Sequence, residues 1–181
     1  MQLEIEVAEA VPAELRAGIS AGLGEANARL VGPSQRRPLL AIVRGLAGQE
    51  LPAGQGRTED GQHDGVAGGL IGYTAWGWLY IEQLWVAEAR RGTGLGGRLI
   101  AAAEQEAVRR GCRNAWIDTF NPDALRLYER LDYQVFGILE GFPPGHTRSF
   151  LRKRLATGDG SPSPDRVRSD GYCGTATPLK R

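Results

Sequence analysis

The chain has 181 residues, 41% of them hydrophobic, and a formal net charge of +1, which suits one domain with a proper core. Such a balance argues for neither nucleic acid nor an anionic membrane surface as a partner, and no basic stripe appears before the last strand. No apolar run approaches the roughly 20 residues of a membrane span, and Cys112 and Cys173 lie too far apart to suggest a disulfide framework or a metal site.

The start, MQLEIEVAEA, lacks the basic opening and apolar run of a leader peptide, so a soluble, reduced, cytoplasmic protein is expected. Residues 2–8 alternate apolar and polar, which predicts a first strand. Pro12 opens a helical stretch with Leu15, Ile19, Leu23 and Leu30 at helical spacing. Residues 38–44 read as a second strand. Residues 46–64 are rich in Gly, Gln and Asp and read as a hairpin loop or a substrate lid. Residues 66–75 and 78–87 read as strands joined by a tight Trp76-Gly77 turn. Residues 94–110 form an amphipathic helix that Gly111 ends. A short strand follows at 114–119. Asn121 caps and Pro122 opens a helix to about Leu131, and strands at 133–141 and 147–155 flank Pro143-Pro144-Gly145.

The order is β-α-β-β-β-α-β-α-β-β. It predicts a mixed α/β sheet, mostly antiparallel, with one parallel strand–helix–strand crossover and helices on both faces. Residues 1–155 make the single domain. Residues 156–181 have little to bury and are expected to be a disordered tail.

The sharpest local signal is Arg90-Arg91-Gly92-Thr93-Gly94-Leu95-Gly96-Gly97-Arg98, between a strand and a helix. The first N–H groups of a helix are unpaired and carry partial positive charge, and glycines let phosphate oxygens approach them. A bound pyrophosphate is the natural reading, a merely flexible turn the bland one. A Walker P-loop needs Gly-Lys-Ser/Thr, and here Gly97 precedes Arg98 and Leu99. Gly92, Gly94 and Gly97 match the dinucleotide fingerprint, with Asp118 about 20 residues on. However, five residues separate Val86 from Gly92, and too little chain follows for the other half of that sheet.

Arg91-Gly92-Thr93-Gly94-Leu95-Gly96 also fits the R/Q-x-x-G-x-G/A motif, and residues 66–155 as a whole resemble the GCN5-related N-acetyltransferase (GNAT) family. A bacterial branch of it is similar at residues 77–82 (Gly-Trp-Leu-Tyr-Ile-Glu), 118–120 (Asp-Thr-Phe) and 142–146 (Phe-Pro-Pro-Gly-His). The chain departs from that branch at Asn121-Pro122-Asp123-Ala124-Leu125, where Ser-Phe-Gln-Ala-Pro is typical. Residues 1–65 share only the layout.

The resemblance implies an enzyme that moves an acetyl group from acetyl-CoA to a primary amine by direct attack, without a metal. Leu84, Trp85 and Val86 would pair with the pantetheine arm, with the Val86 N–H donating to the thioester oxygen. Arg91, Gly92, Thr93, Gly94, Leu95 and Gly96 would line the pyrophosphate. Tyr128 would be the general acid for the departing thiolate; its alternative is a packed helix aromatic. Asn121 would touch the pantetheine arm, cap its helix, or both. Glu82, a carboxylate in a largely apolar strand, is a general base, a binder of the cationic substrate, or a paired structural group. Asp118 is the weaker acidic candidate.

Trp76, Trp78, Tyr80 and Glu82 are expected to flank the acceptor, with Glu140, Phe142 and His146 opposite. Aromatic walls with carboxylates suit a ring-containing cationic amine. Kasugamycin 2'-N-acetyltransferases share this look, so an aminoglycoside-type antibiotic is the specific expectation. A polyamine, an amino acid, a protein amine, or a non-catalytic acyl-CoA-binding role are the alternatives. Members of the family often pair as homodimers, and the same is expected here.

Overall fold

The computed structural model describes residues 5–44 and 66–155. The 46–64 loop and the 156–181 tail of the sequence reading lie outside them. The elements run α1 (Ala13–Val31), β1 (Arg37–Arg44), β2 (Val66–Ala75), β3 (Trp78–Val86), a 3-10 turn at Glu88–Arg90, α2 (Leu95–Arg109), β4 (Asn114–Thr119), α3 (Pro122–Arg130), β5 (Gln134–Glu140) and β6 (Thr147–Arg154). From residue 13 onward this is the expected order. The strand expected at 2–8 does not form in its described part: residues 5–8 have no regular structure, with Ile5 and Val7 about nine-tenths exposed. Alternation lets a segment be a strand, but it needs a partner edge, and among the described residues none receives residues 5–8.

The six strands form one sheet in the order β1-β2-β3-β4-β6-β5. Only β3 and β4 are parallel, joined through α2. The core lies between α2 and the sheet. Alternation sends Leu70, Leu79, Ile81, Ala115, Ile117 and Leu151 to that side, where they meet Leu95, Leu99 and Ile100 of α2. Burying each large aliphatic side chain stabilises by about 1.5–3 kcal/mol. Gly96 and Gly97 keep α2 close to α3: a Cβ at Gly96 would stand 3.3 Å from Leu127 Cδ2, and one at Gly97 3.7 Å from Leu131 Cδ2. α1 differs from the other helices, since none of its residues is buried.

Two irregularities open the sheet. β2 and β3 are in register from Ala75↔Trp78 to Gly72↔Ile81 and again from Ile71↔Gln83, so Glu82 is an extra residue in β3. This bulge swaps the phase of alternation, and core-facing positions change from Leu79 and Ile81 to Leu84 and Val86. Gly72 lies against the bulge: a Cβ there would be 2.1 Å from the Tyr80 carbonyl oxygen. The second irregularity is that β3 and β4 pair only from Trp78↔Asn114 to Ile81↔Ile117. Past Ile81 the two strands part, and Asp118 and Thr119 pair with β6 alone.

Candidate active site

The gap between β3 and β4 is the centre of the site. Ala87 N–H donates to the Ala67 carbonyl of β2 at 3.0 Å. Neighbouring peptides in an antiparallel strand point to opposite sides, so the N–H groups of Val86 and Leu84 point away from β2, into the gap. The bulge and the parting of the strands thus leave a short row of backbone donors beside an open slot.

The glycine turn lies at the mouth of that slot. Gly92 has φ +75° and Gly94, the N-cap of α2, has φ +79°, values that a side chain disfavours. No side chain caps α2, so its first N–H groups face outward unmet and the positive end of the helix is open to an anion. Thr93 Oγ1 donates to the Arg90 carbonyl at 2.7 Å and so fastens the turn rather than facing outward. Arg91 Nε donates to the Val86 carbonyl at 3.2 Å, which ties the turn to the end of β3 and puts a cation at the junction. The arrangement fits a diphosphate on the turn with an extended chain running from it along β3. Among the described residues no group of His, Cys, Asp and Glu side chains could hold a metal.

Tyr128 is 4% exposed on α3. Burial, with a smaller contribution from Asp118, pushes its phenol up to about 12, so at neutral pH it is a proton donor. Asn121 caps α3, its Oδ1 accepting from Asp123 N at 2.8 Å and Ala124 N at 3.5 Å. Its oxygen is therefore committed to the helix, and the side-chain NH2 is the part left for a ligand.

The sheet face opposite α2 carries a connected polar–aromatic cluster. Tyr80 stacks on Trp116 with centroids 3.9 Å apart and meets Tyr73 edge-on at 5.4 Å. Its hydroxyl donates to Asp118 Oδ1 at 3.3 Å, and burial first, then Asp118, raises the phenol above its ordinary range. The other Asp118 oxygen is gripped by Arg148 through Nε and a terminal nitrogen. Arg148 also lies 5.2 Å from the Phe142 ring. Glu82 Oε1 is 3.7 Å from a terminal nitrogen of Arg36, whose guanidinium sits 3.6 Å above Tyr73. The Glu82 side chain is 36% exposed. It reaches solvent, whereas Asp118 is held on both oxygens, by Tyr80 on one and by Arg148 on the other.

Of the residues expected to flank the acceptor, the structure gathers Tyr80, Glu82, Asp118 and Phe142 along this face. Glu140 ends β5 and His146 closes the β5–β6 turn, both exposed. Trp76 and Trp78 are not brought there. They occupy the other end of the β2–β3 hairpin, Trp78 about 13 Å along the strand from Glu82. Trp76 there donates from Nε1 to the Gly32 carbonyl at 3.1 Å and from its backbone N to the Ser34 carbonyl at 3.0 Å. A cavity of about 1140 Å³ opens at that same end, between Trp78, Asn114, Glu104 and Arg154. It is remote from the gap and the glycine turn, so the chemistry is not placed in it. Arg36, Tyr73, Trp116 and Arg148 escaped the sequence reading. Trp116 and Arg148 share the alternation phase of Asp118 and Phe150, which is a usable signal; nothing local marks Arg36.

Residues 47–133 match the profile of the acetyltransferase (GNAT) family. An acetyltransferase of Agrobacterium fabrum is 44% identical over 120 residues, covering 66% of this chain and 88% of the relative. Blasticidin-S acetyltransferase of Streptomyces morookaense is 40% identical over 96 residues, covering 52% and 71%. Among solved structures, one described as an acetyltransferase from Agrobacterium tumefaciens superposes with TM-score 0.69 at 38% identity, over 84% of this chain and 99% of that one. An acetyltransferase from Bacillus cereus superposes with TM-score 0.64 at 25% identity, over 83% and 98%.

Proposed function

From the premise that this chain belongs to the acetyltransferase (GNAT) family and is an acetyl-CoA-dependent N-acetyltransferase, we propose that its acceptor is the primary amine of an aminoglycoside-type antibiotic of the kasugamycin kind. The observation that carries this reading is the aromatic, carboxylate-bearing face formed by Tyr73, Tyr80, Trp116 and Glu82, on which the gap between β3 and β4 opens. Flat ring surfaces with a carboxylate at their edge suit a polar, ring-containing cation. The relationship to blasticidin-S acetyltransferase favours a second reading, an antibiotic amine of the blasticidin S type.

Acetyl-CoA supplies the acetyl group and a thiol leaving group. The chain supplies four things. The amides of α2, the Gly92–Gly96 turn and Arg91 hold the diphosphate. The row of donors on β3 holds the extended arm and fixes the thioester beside the amine, a positioning effect that lowers the barrier by several kcal/mol. The Val86 N–H meets the charge that develops on the thioester oxygen, a donor of a kind whose removal costs about 2.7–4 kcal/mol. Glu82 draws the ammonium in and takes its proton, directly or through a water, and the Tyr128 hydroxyl gives a proton to the sulfur. Arg36, 3.7 Å from Glu82 and stacked over Tyr73, holds that carboxylate at the edge of the aromatic face. The use of acetyl-CoA and a small drug-like amine fits action in the cytoplasm.

Transfer of labelled acetyl to a panel of aminoglycosides, kasugamycin and blasticidin S tests the acceptor. Label on kasugamycin or another aminoglycoside supports the first reading, and label on blasticidin S alone the second. Label on none rejects both acceptors while leaving the enzyme class standing.

A further inference from the structure

The polar–aromatic face carries two arginines, and they are engaged to different degrees. Arg148 is committed: its Nε and a terminal nitrogen both meet Asp118 Oδ2. Arg36 is held more loosely. One of its terminal nitrogens stands 3.7 Å from Glu82 Oε1, beyond the about 2.7–2.9 Å of a charge-assisted hydrogen bond. Its guanidinium lies 3.6 Å above the Tyr73 ring, so the ring covers one flat side and fixes the plane. Stacking uses only the face of the group. Its N–H donors point outward in the plane, in a fork that matches the two oxygens of a carboxylate. The Arg36 side chain is 60% exposed, and among the described residues Glu82 is the one carboxylate that meets it.

The backbone beneath Arg36 is fastened. Trp76, at the tip of the β2–β3 hairpin, donates from Nε1 to the Gly32 carbonyl and from its backbone N to the Ser34 carbonyl. Arg36 N donates to Ser34 Oγ at 3.4 Å. Gln35, between them, passes at φ +49°, an angle few side chains adopt. The linker thus enters β1 along a fixed path that delivers Arg36 onto Tyr73. This point is roughly 27 Å along β1 from the end that leads into residues 45–65.

Glu82 and Arg36 therefore set a negative and a positive charge side by side at the rim of one aromatic surface. A simple cation gains from Glu82 and loses to Arg36, whereas a molecule with both charges gains from each. We propose that Arg36 is a specificity residue that binds a carboxylate of the acceptor. The preferred substrate is then a ring-bearing zwitterion whose reactive amine lies a few bonds from that carboxylate, an assignment that rests on the reading of this face as the acceptor site.

L-Phenylalanine and L-phenylalaninamide test it directly: both have the ring and the amine, and only the first has a carboxylate. Each is titrated against the full chain saturated with coenzyme A, at about pH 6 where both amines are protonated, and binding is read by ligand-observed NMR. Phenylalanine is expected to bind about fivefold more tightly, a modest factor because the guanidinium is more than half in water. Arg36→Met should abolish the preference, and Arg36→Lys, which keeps the charge but not the fork, should retain part of it. Equal affinities in the wild type, or a preference that persists in folded Arg36→Met, overturn the proposal and leave the acceptor face standing. Binding of neither probe overturns both. The label-transfer panel supplies a second readout. For the amine that the wild type acetylates best, Arg36→Met should raise KM about fivefold with kcat within about twofold. A fall in kcat at unchanged KM would mean that Arg36 serves only Glu82, and overturns the proposal.

Discussion

Replacing Gly72 by alanine tests whether the bulge at Glu82 is what keeps the gap open. The added Cβ would stand 2.1 Å from the Tyr80 carbonyl oxygen, with the Tyr80 carbon at 3.2 Å and Ile81 Cα at 3.3 Å. All three atoms are backbone and none can rotate away. Overpacking costs about 1–3 kcal/mol where side chains can yield, so a clash against a strand belongs at the upper end, about 3 kcal/mol. Restricting the unfolded chain returns about 0.4–1 kcal/mol, which leaves a net loss of about 2–3 kcal/mol. For a chain of this size that lowers Tm by roughly 5–10 °C. Gly69→Ala in the same strand is the control. Its Cβ would meet Ala41 O at 3.5 Å and Ile42 Cγ2 at 3.6 Å, ordinary contacts, and alanine there should be neutral or stabilising by up to about 1 kcal/mol. Thermal melts of the two variants decide the stability claim, and calorimetric titration with acetyl-CoA decides the functional one. Relieving the clash pushes β3 back from β2 and disturbs the aim of the Leu84 and Val86 amides, so affinity should fall on the order of tenfold. A Gly72→Ala protein as stable as Gly69→Ala, with unchanged affinity, refutes the reasoning.

Tyr128→Phe should lower kcat about a hundredfold while leaving acetyl-CoA affinity within about twofold; turnover unchanged in single-turnover assays removes the acid role. Burial raises the Tyr128 phenol to about 12 and moves Tyr133 further in the same direction, while both titrate near 10 when unfolded. Below pH 10 both states keep these protons and stability is level; above it the unfolded chain releases them first, so the urea midpoint should fall from about pH 10 to 12, less steeply in Tyr128→Phe. Asn121→Ala leaves two N–H groups of α3 unmet and should cost about 1 kcal/mol in chemical denaturation, while Asn121→Asp keeps the cap. Arg91→Ala removes both a cation at the turn and the bond to the Val86 carbonyl. It should weaken acetyl-CoA binding on the order of tenfold and reduce its dependence on salt.

The elements past residue 12 were legible because their signals are local. Gly111 stops α2, Asn121-Pro122 starts α3, and Val66–Ala75 and Trp78–Val86 alternate around a Trp76-Gly77 turn. The bulge was legible too, in retrospect: the buried phase runs Leu79, Ile81, Leu84, Val86, and only an extra residue at Glu82-Gln83 restores it. What sequence order could not supply was position along the strands. Trp76, Trp78 and Tyr80 all precede the gap and Glu82 stands at its start, because the gap begins only where pairing with β4 stops, after Ile81. That length is set by a strand more than thirty residues away. Arg36 and Arg148 were missed for the same reason, since each meets its carboxylate across the sheet, 46 and 30 residues off. The strand expected at 2–8 shows the converse: a good local pattern carries no weight without an edge to join.

The close contact of Gly96 with Leu127 has a mechanical meaning. The helix proposed to seat the diphosphate and the helix that carries the Tyr128 phenol meet directly, α2 backbone against a leucine side chain of α3. On the proposed reading, a tilt of α2 at the phosphate end would be passed directly to the helix that carries Tyr128. On that reading, acyl groups longer than acetyl would find their room on the strand side of the slot.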